Sequence, residues 1–199
     1  MGLKLTGFDN TRARIQRVSD SRFYAGWTIA VKTQQVALRI EDLESIEPGE
    51  TFILELYGAN RSVILQAVFM TFNTDGTCTF QTTSQPFYLP GPVDPRFRVP
   101  NFEAKVNYYG RKTVGRVTDV SSKGLALEAG FLANRLEPIE LEVELPSGVV
   151  HLRGHVRYCK PIPNSPAFRM GVRIEQMDRV GVARWQHYFQ AMTGAEDVA

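Results

Sequence analysis

The sequence predicts an all-β protein made of two tandem small β-barrels, the second closed by a C-terminal α-helix. Three observations lead there. Short apolar runs rich in β-branched and aromatic residues alternate with Gly, Asn and Asp turns, and nothing before Pro86 has a helical period. The second half then repeats the pattern of the first at an offset of about 89 residues. Only the last segment, from Asp178 to Met192, carries an amphipathic helical stripe.

In chain order, residues 1–22 hold Lys4, Arg12, Arg14, Arg17 and Arg22, a basic tail or first strand whose default reading is a solvated face. Phe23 to Val31 and Val36 to Ile40 read as strands. A turn at Glu47-Pro48-Gly49-Glu50 introduces Phe52, Leu54 and Leu56, which alternate with Ile53, Glu55 and Tyr57. The Gly58-Ala59-Asn60 turn makes a hairpin with Val63 to Phe69, and Asp75-Gly76 turns the chain into Cys78 to Thr82. Six of the prolines and glycines between Pro86 and Pro100 mark a boundary, because proline fixes φ and removes a ladder donor. The expected organisation is therefore a first barrel over 1–88, a Pro-rich linker and arm over 89–100, and a second domain over 101–199.

Beyond the boundary, Gly26 to Val31 lies over Gly115 to Val120, and Val36-Ala37-Leu38 over Leu125-Ala126-Leu127. Phe52, Leu54 and Leu56 fall on Leu141, Val143 and Leu145, and each block is introduced by Glu-Pro. The long strand Val63 to Phe69 corresponds to Val149 to Tyr158. In the closing helix, Val182, Trp185, Phe189 and Met192 form one stripe with Asp178 as its cap. Core plugging of an open barrel end is its majority reading; a surface for a second copy or a partner is the minority one.

Composition narrows the function classes. Hydrophobic residues are 43% and charged residues 22% of the 199, with a net charge of +2. A pI near 8.6 is too balanced to argue for nucleic acid. A nucleic-acid role for Arg12 to Arg22 is thus the weakest alternative. The apolar stretches fall far short of the ~20 residues that span a bilayer, and the N-terminus lacks a signal-peptide pattern, so a cytoplasmic protein is expected. Cys78 and Cys159 sit in strand-like runs and are expected to be buried free thiols. His151, His155 and His187 have no metal-ligand spacing, and no nucleophile–base pair appears, so no metal, cofactor or catalysis is expected.

The most informative stretch is Asp119-Val120-Ser121-Ser122-Lys123-Gly124, where a strand from Thr113 meets a short turn. A carboxylate, a hydroxyl and a Gly converge there, with Gly124 free to take φ > 0. Taken alone this is a β-turn capped by Asp119 and Ser121. Its surroundings add a basic arm, Asp94-Pro95-Arg96-Phe97-Arg98, a strand Gly171-Val172-Arg173-Ile174 and the closing helix. This order, with its D-x-S-x-x-G turn, resembles the PilZ domain family of bacterial cyclic di-GMP receptors, over residues 94–192. The first barrel resembles a PilZ-like repeat without the motif, since Ala30, Lys32 and Gln35 stand where Asp119, Ser121 and Gly124 stand. The family's arm reads R-x-x-x-R; here Arg98 supplies the second arginine and Asp94 occupies the place of the first.

The resemblance implies that Arg98, Asp119, Ser121 and Gly124 contact cyclic di-GMP, with Arg96 as a weaker contributor two positions along the same extended face. Guanidinium groups grip phosphates and guanine O6 and N7, while Asp119 accepts from guanine N1–H and N2–H₂. It also implies relay of the signal to an unidentified protein partner acting on motility, pili or exopolysaccharide. The alternative is a degenerate adaptor that has lost the nucleotide and works by protein–protein interaction.

Overall fold

Thirteen strands and one helix make up the described residues 7–41, 46–92 and 94–193 of the computed structural model. Lys4 lies outside them. The chain divides into two units, Met1–Pro95 and Arg96–Ala199.

In the first unit, β1 (Arg12–Arg17), β2 (Phe23–Lys32), β3 (Gln35–Ile40), β4 (Thr51–Tyr57), β5 (Arg61–Phe72) and β6 (Cys78–Thr82) pair in the order β4-β1-β2-β3-β6-β5. A β4–β5 pairing closes the ring. Alternate residues of each strand point inward, as Phe52, Leu54 and Leu56 do on β4, and build a core with Ile15, Leu38, Phe69 and Phe80. The short β7 (Phe87–Pro90) adds to β5 beyond the end of β6.

The second unit holds β8 (Phe97–Tyr108), β9 (Arg111–Ser121), β10 (Gly124–Ala129), β11 (Pro138–Leu145), β12 (Gly148–Pro161) and β13 (Phe168–Met177). They close a barrel in the order β10-β13-β12-β11-β8-β9. Replacing β1 to β6 by β8 to β13 in turn reproduces the first ring strand for strand, so the repeat read from the sequence is a repeat of topology. Its detail extends to an irregularity. The β2–β3 ladder shifts register between Thr28 and Ala30, and the β9–β10 ladder shifts between the partners Asp119 and Val117. The bulged residues, Ile29 and Thr118, lie at the repeat offset. A bulge re-aims the side chain that follows it; in the first barrel that residue is Ala30, in the second Asp119.

Two features differ from the sequence expectation. The stretch 89–100 is not only connector, because β7 runs to Pro90 and β8 begins at Phe97. Proline is accommodated at both places by the absence of a ladder donor requirement: β7 is an edge strand, and Pro100 sits in the register shift between Arg98 and Phe102. The helix α1 (Arg179–Thr193) is capped as expected, with Gly181 N–H donating to Asp178 Oδ1 at 2.5 Å. Its buried stripe is rotated from the expected one: Trp185 is buried, Tyr188, Phe189 and Met192 are half-buried, and Val182 is exposed. Small Gly181 takes the barrel-facing position instead, 3.2 Å from Val150 if it carried a Cβ. Cys78 is a buried thiol and Cys159 a half-buried one; both are free.

Candidate ligand site

The second barrel's site begins with register. Arg98 on β8 pairs with Asp119 on β9, Asp119 with Ala126 on β10, Ala126 with Gly171 on β13, and Gly171 with Tyr158 on β12. Directly opposed residues project to the same side of a sheet, so five strands deliver one row to the outer face. Leu125 and Leu127, which flank Ala126, point the other way into the core. A Cβ at Gly171 would lie 2.3 Å from Tyr158 Cε1, so the tyrosine ring rests on the bare backbone there. The row thus runs from an arginine and a carboxylate over small residues to a partly exposed aromatic ring.

Asp119 is 2% exposed, and both its oxygens are engaged. Arg96 Nε donates to Oδ1 at 2.6 Å, and Arg169 Nη2 donates to Oδ2 at 2.9 Å. The Thr118 hydroxyl adds a donor to Oδ2 at 3.2 Å. A buried carboxylate is tolerable only when charged donors replace its lost water, and the two arginines supply them from segments far apart in sequence. The arginines are not themselves enclosed, at 32% and 22% side-chain exposure. Arg96 Nη2 is a buried donor with no hydrogen-bond partner among the described residues.

Ser121 and Gly124 serve the turn. They pair across a two-residue hairpin whose tip is Ser122-Lys123, and the Ser121 hydroxyl donates to the Gly124 carbonyl at 3.3 Å. Ser121 is wholly buried, and its carbonyl accepts from Trp185 Nε1 at 3.1 Å. Gly124 does not use the left-handed region that the sequence suggested; it is absent from the positive-φ residues described. Its glycine is required by a close approach, because a Cβ would lie 2.4 Å from the Val172 carbonyl oxygen.

The helix reaches the same site from behind. Phe189 meets Phe97 edge-on at 5.5 Å, and Tyr188 meets Phe102 at 6.0 Å. Phe97 stands between Arg96 and Arg98, so α1 fixes the backbone from which both arginines project.

The structure therefore joins Arg96, Arg98 and Asp119 on one face and places Ser121 and Gly124 beneath the turn. Arg96, expected as the weaker contributor, makes the shortest contact to Asp119. Arg169 escaped the sequence reading although its strand was recognised; its alternation with Gly171 along β13 was the available signal. The histidines take no part: His155 Nδ1 lies 2.7 Å from Glu175, His151 4.0 Å from Glu142, and no metal-binding cluster occurs among the described residues. Among those residues no helix is long and apolar enough to cross a membrane.

Residues 94–191 match the family model of the PilZ domain. No curated protein matches the chain. Among solved structures it is similar to K. pneumonia MrkH, described as a c-di-GMP-dependent transcription regulatory factor, at 12% identity and a TM-score of 0.51, over 94% of this chain and 86% of that one. It is also similar to the Bacillus subtilis inhibitor of motility MotI/DgrA (10%, TM-score 0.49, 98% and 100% covered). A third is Escherichia coli YcgR in complex with c-di-GMP (11%, TM-score 0.46, 92% and 84% covered). With the motif turn, the arm and the closing helix on one closed barrel, the second half of the chain is a PilZ domain.

Proposed function

We propose that the second barrel is a receptor for cyclic di-GMP and that the protein passes the signal to a protein partner. The observation that carries this is the cluster of Arg96, Arg98 and Arg169 around Asp119, on the face delivered by the D-x-S-x-x-G turn of a PilZ domain. Guanidinium forks bind phosphates and guanine edges alike. Asp119 offers a carboxylate for guanine N–H groups once an arginine swings from it to the ligand. The half-exposed ring of Tyr158, at the far end of the row, gives a base a flat surface for stacking. The role is binding rather than catalysis.

The adaptor reading keeps one specific observation in its favour, the carboxylate of Asp94 where the family's arm carries an arginine. At surface dielectric a carboxylate near a phosphate repels it by about 1–4 kcal/mol. Calorimetric titration of the full chain with cyclic di-GMP tests the proposal. Wild type should bind at micromolar strength or weaker, Arg98→Ala should weaken binding, and Asp94→Arg should tighten it by about 1–3 kcal/mol. An absence of heat from wild type and Asp94→Arg at millimolar nucleotide would leave the adaptor.

A further inference from the structure

We propose that one end of the second barrel is a membrane-docking surface, seated on an anionic lipid bilayer through Tyr109, Leu132 and Leu136. The inference stands on residues outside the nucleotide site and does not depend on that reading.

Two loops form this end. The first is the tip between β8 and β9, where Tyr108 pairs with Arg111 across Tyr109-Gly110. The second connects Ala129 of β10 to Pro138 of β11. They lie side by side: the Tyr108 ring is 5.2 Å from that of Phe131, its hydroxyl donates to Glu137, and Tyr109 and Pro138 border one hollow. Phe131 and Ala133 are buried in the core, whereas Leu132 between them turns out. Tyr109 is 70% exposed, and Leu132 and Leu136 are each 60% exposed.

Local folding does not require those side chains. Tyr109 (φ 50°) and Gly110 (φ 80°) make a two-residue turn with both central residues left-handed, a shape that asparagine fills more easily than tyrosine. Leu136 (φ 69°) is left-handed too, and its N–H donates to the Val156 carbonyl at 2.7 Å. Large apolar side chains at two such positions, facing water, reduce both stability and solubility. Contact with an apolar medium removes the second of these costs.

Charge selects the medium. Arg111, Lys112 and Arg135 are exposed in the same two loops and make no ion pair among the described residues. Arg111 lies over the Phe131 ring at 5.7 Å, which fixes its position without cancelling its charge. The one carboxylate of these loops, Glu137, already takes hydrogen bonds from the Tyr108 hydroxyl and from Asn134. Glu140 and Arg153, beside the hollow, pair with each other. Three cations against one carboxylate attract the phosphates of an anionic leaflet. A tyrosine suits the boundary, with its ring among acyl chains and its hydroxyl among headgroups. The apolar groups stand on two tips rather than lining one groove, so a bilayer that yields around them fits better than a rigid protein pocket. The β8–β9 ladder runs from Phe97–Val120, beside Asp119, to Tyr108–Arg111 at the tip. Docking by the tip therefore keeps the Asp119 turn at the far end of the ladder, away from the bilayer.

The test is co-sedimentation of the full chain with vesicles of pure phosphatidylcholine and of phosphatidylcholine mixed equally with phosphatidylglycerol, with a thermal melt of each variant. Wild type should partition onto the mixed vesicles and not onto pure phosphatidylcholine, and should be released as salt rises. Tyr109→Asn with Leu136→Asn should lower partitioning about tenfold or more while the melting temperature holds or rises, since asparagine tolerates the left-handed region. Leu132→Ser, at an exposed position of ordinary backbone, should weaken it as well and keeps the test open should the asparagine pair destabilise the loops. Lys112→Glu with Arg135→Glu should abolish it. Wild type that stays in solution with both vesicles would overturn the inference and assign the patch to a protein partner. Equal binding to both vesicles, or binding unchanged by the apolar-to-polar variants, would also overturn it.

Discussion

Gly124→Ala should destabilise the second barrel through a single backbone collision. The added Cβ would lie 2.4 Å from the Val172 carbonyl oxygen and 3.6 Å from Arg173 Cα. Carbon and oxygen need roughly 3.2 Å or more between them, so β13 must withdraw by nearly 1 Å. It has little freedom to do so, because it is hydrogen-bonded to β10 on one side and β12 on the other. Overpacking of this kind costs about 1–3 kcal/mol. The lower chain entropy of alanine in the unfolded state offsets about 0.4–1 kcal/mol. The net loss is about 1–2 kcal/mol, a fall in Tm of roughly 4–16 °C for a unit of this size. The two tryptophans make the assay simple, since Trp27 belongs to the first unit and Trp185 to the second. In a Trp27→Phe background, Trp185 fluorescence reports the second barrel alone during urea or thermal unfolding. Gly130→Ala is the control, because its Cβ would meet nothing within 4 Å. Equal stability of the two variants would refute the reasoning.

Three further outcomes are expected. Trp185→Phe keeps a ring at the barrel end but strands the Ser121 carbonyl, so it should cost about 1–3 kcal/mol in chemical denaturation; a loss below about 0.5 kcal/mol would mean that the indole N–H is dispensable. Burial pushes the Cys78 thiol up to about 11, so alkylation at pH 8 should modify the half-buried Cys159 first and reach Cys78 only on unfolding. The Arg17 hydrogen bond holds Asp20 at about 2, below its ordinary 3.8. Because the folded value is depressed, its stabilising contribution is present above pH 4 and lost as pH falls through about 2; a carboxyl NMR titration midpoint near 3.8 would contradict the pairing.

Sequence by itself determined most of the barrel strands, though not β7 or the start of β8, together with the tandem repeat and the closing helix. Each rests on a local signal: alternation such as Phe52, Leu54, Leu56 fixes which face enters the core, and Asp178 fixes where the helix starts. The turn Asp119 to Gly124 was equally legible, because its residue types sit within six positions of one another. Helix orientation was less so. The stripe through Val182 is as regular as the one through Gly181, and only the presence of β12 beneath the helix selects the glycine face.

What only the tertiary structure decided is the state of Asp119. The family resemblance assigns Arg98 to the same site, but Arg169 reaches the second oxygen of Asp119 from a strand fifty residues downstream. The bulge at Thr118, which aims the carboxylate, exists because β9 and β10 differ by one residue across their ladder. Gly124 likewise has no requirement that can be read along the chain, since the atom that forbids a Cβ belongs to Val172. Barrel closure brings distant strands side by side in a fixed register. A periodic pattern tells which residues face outward, but only that register tells which outward residues meet.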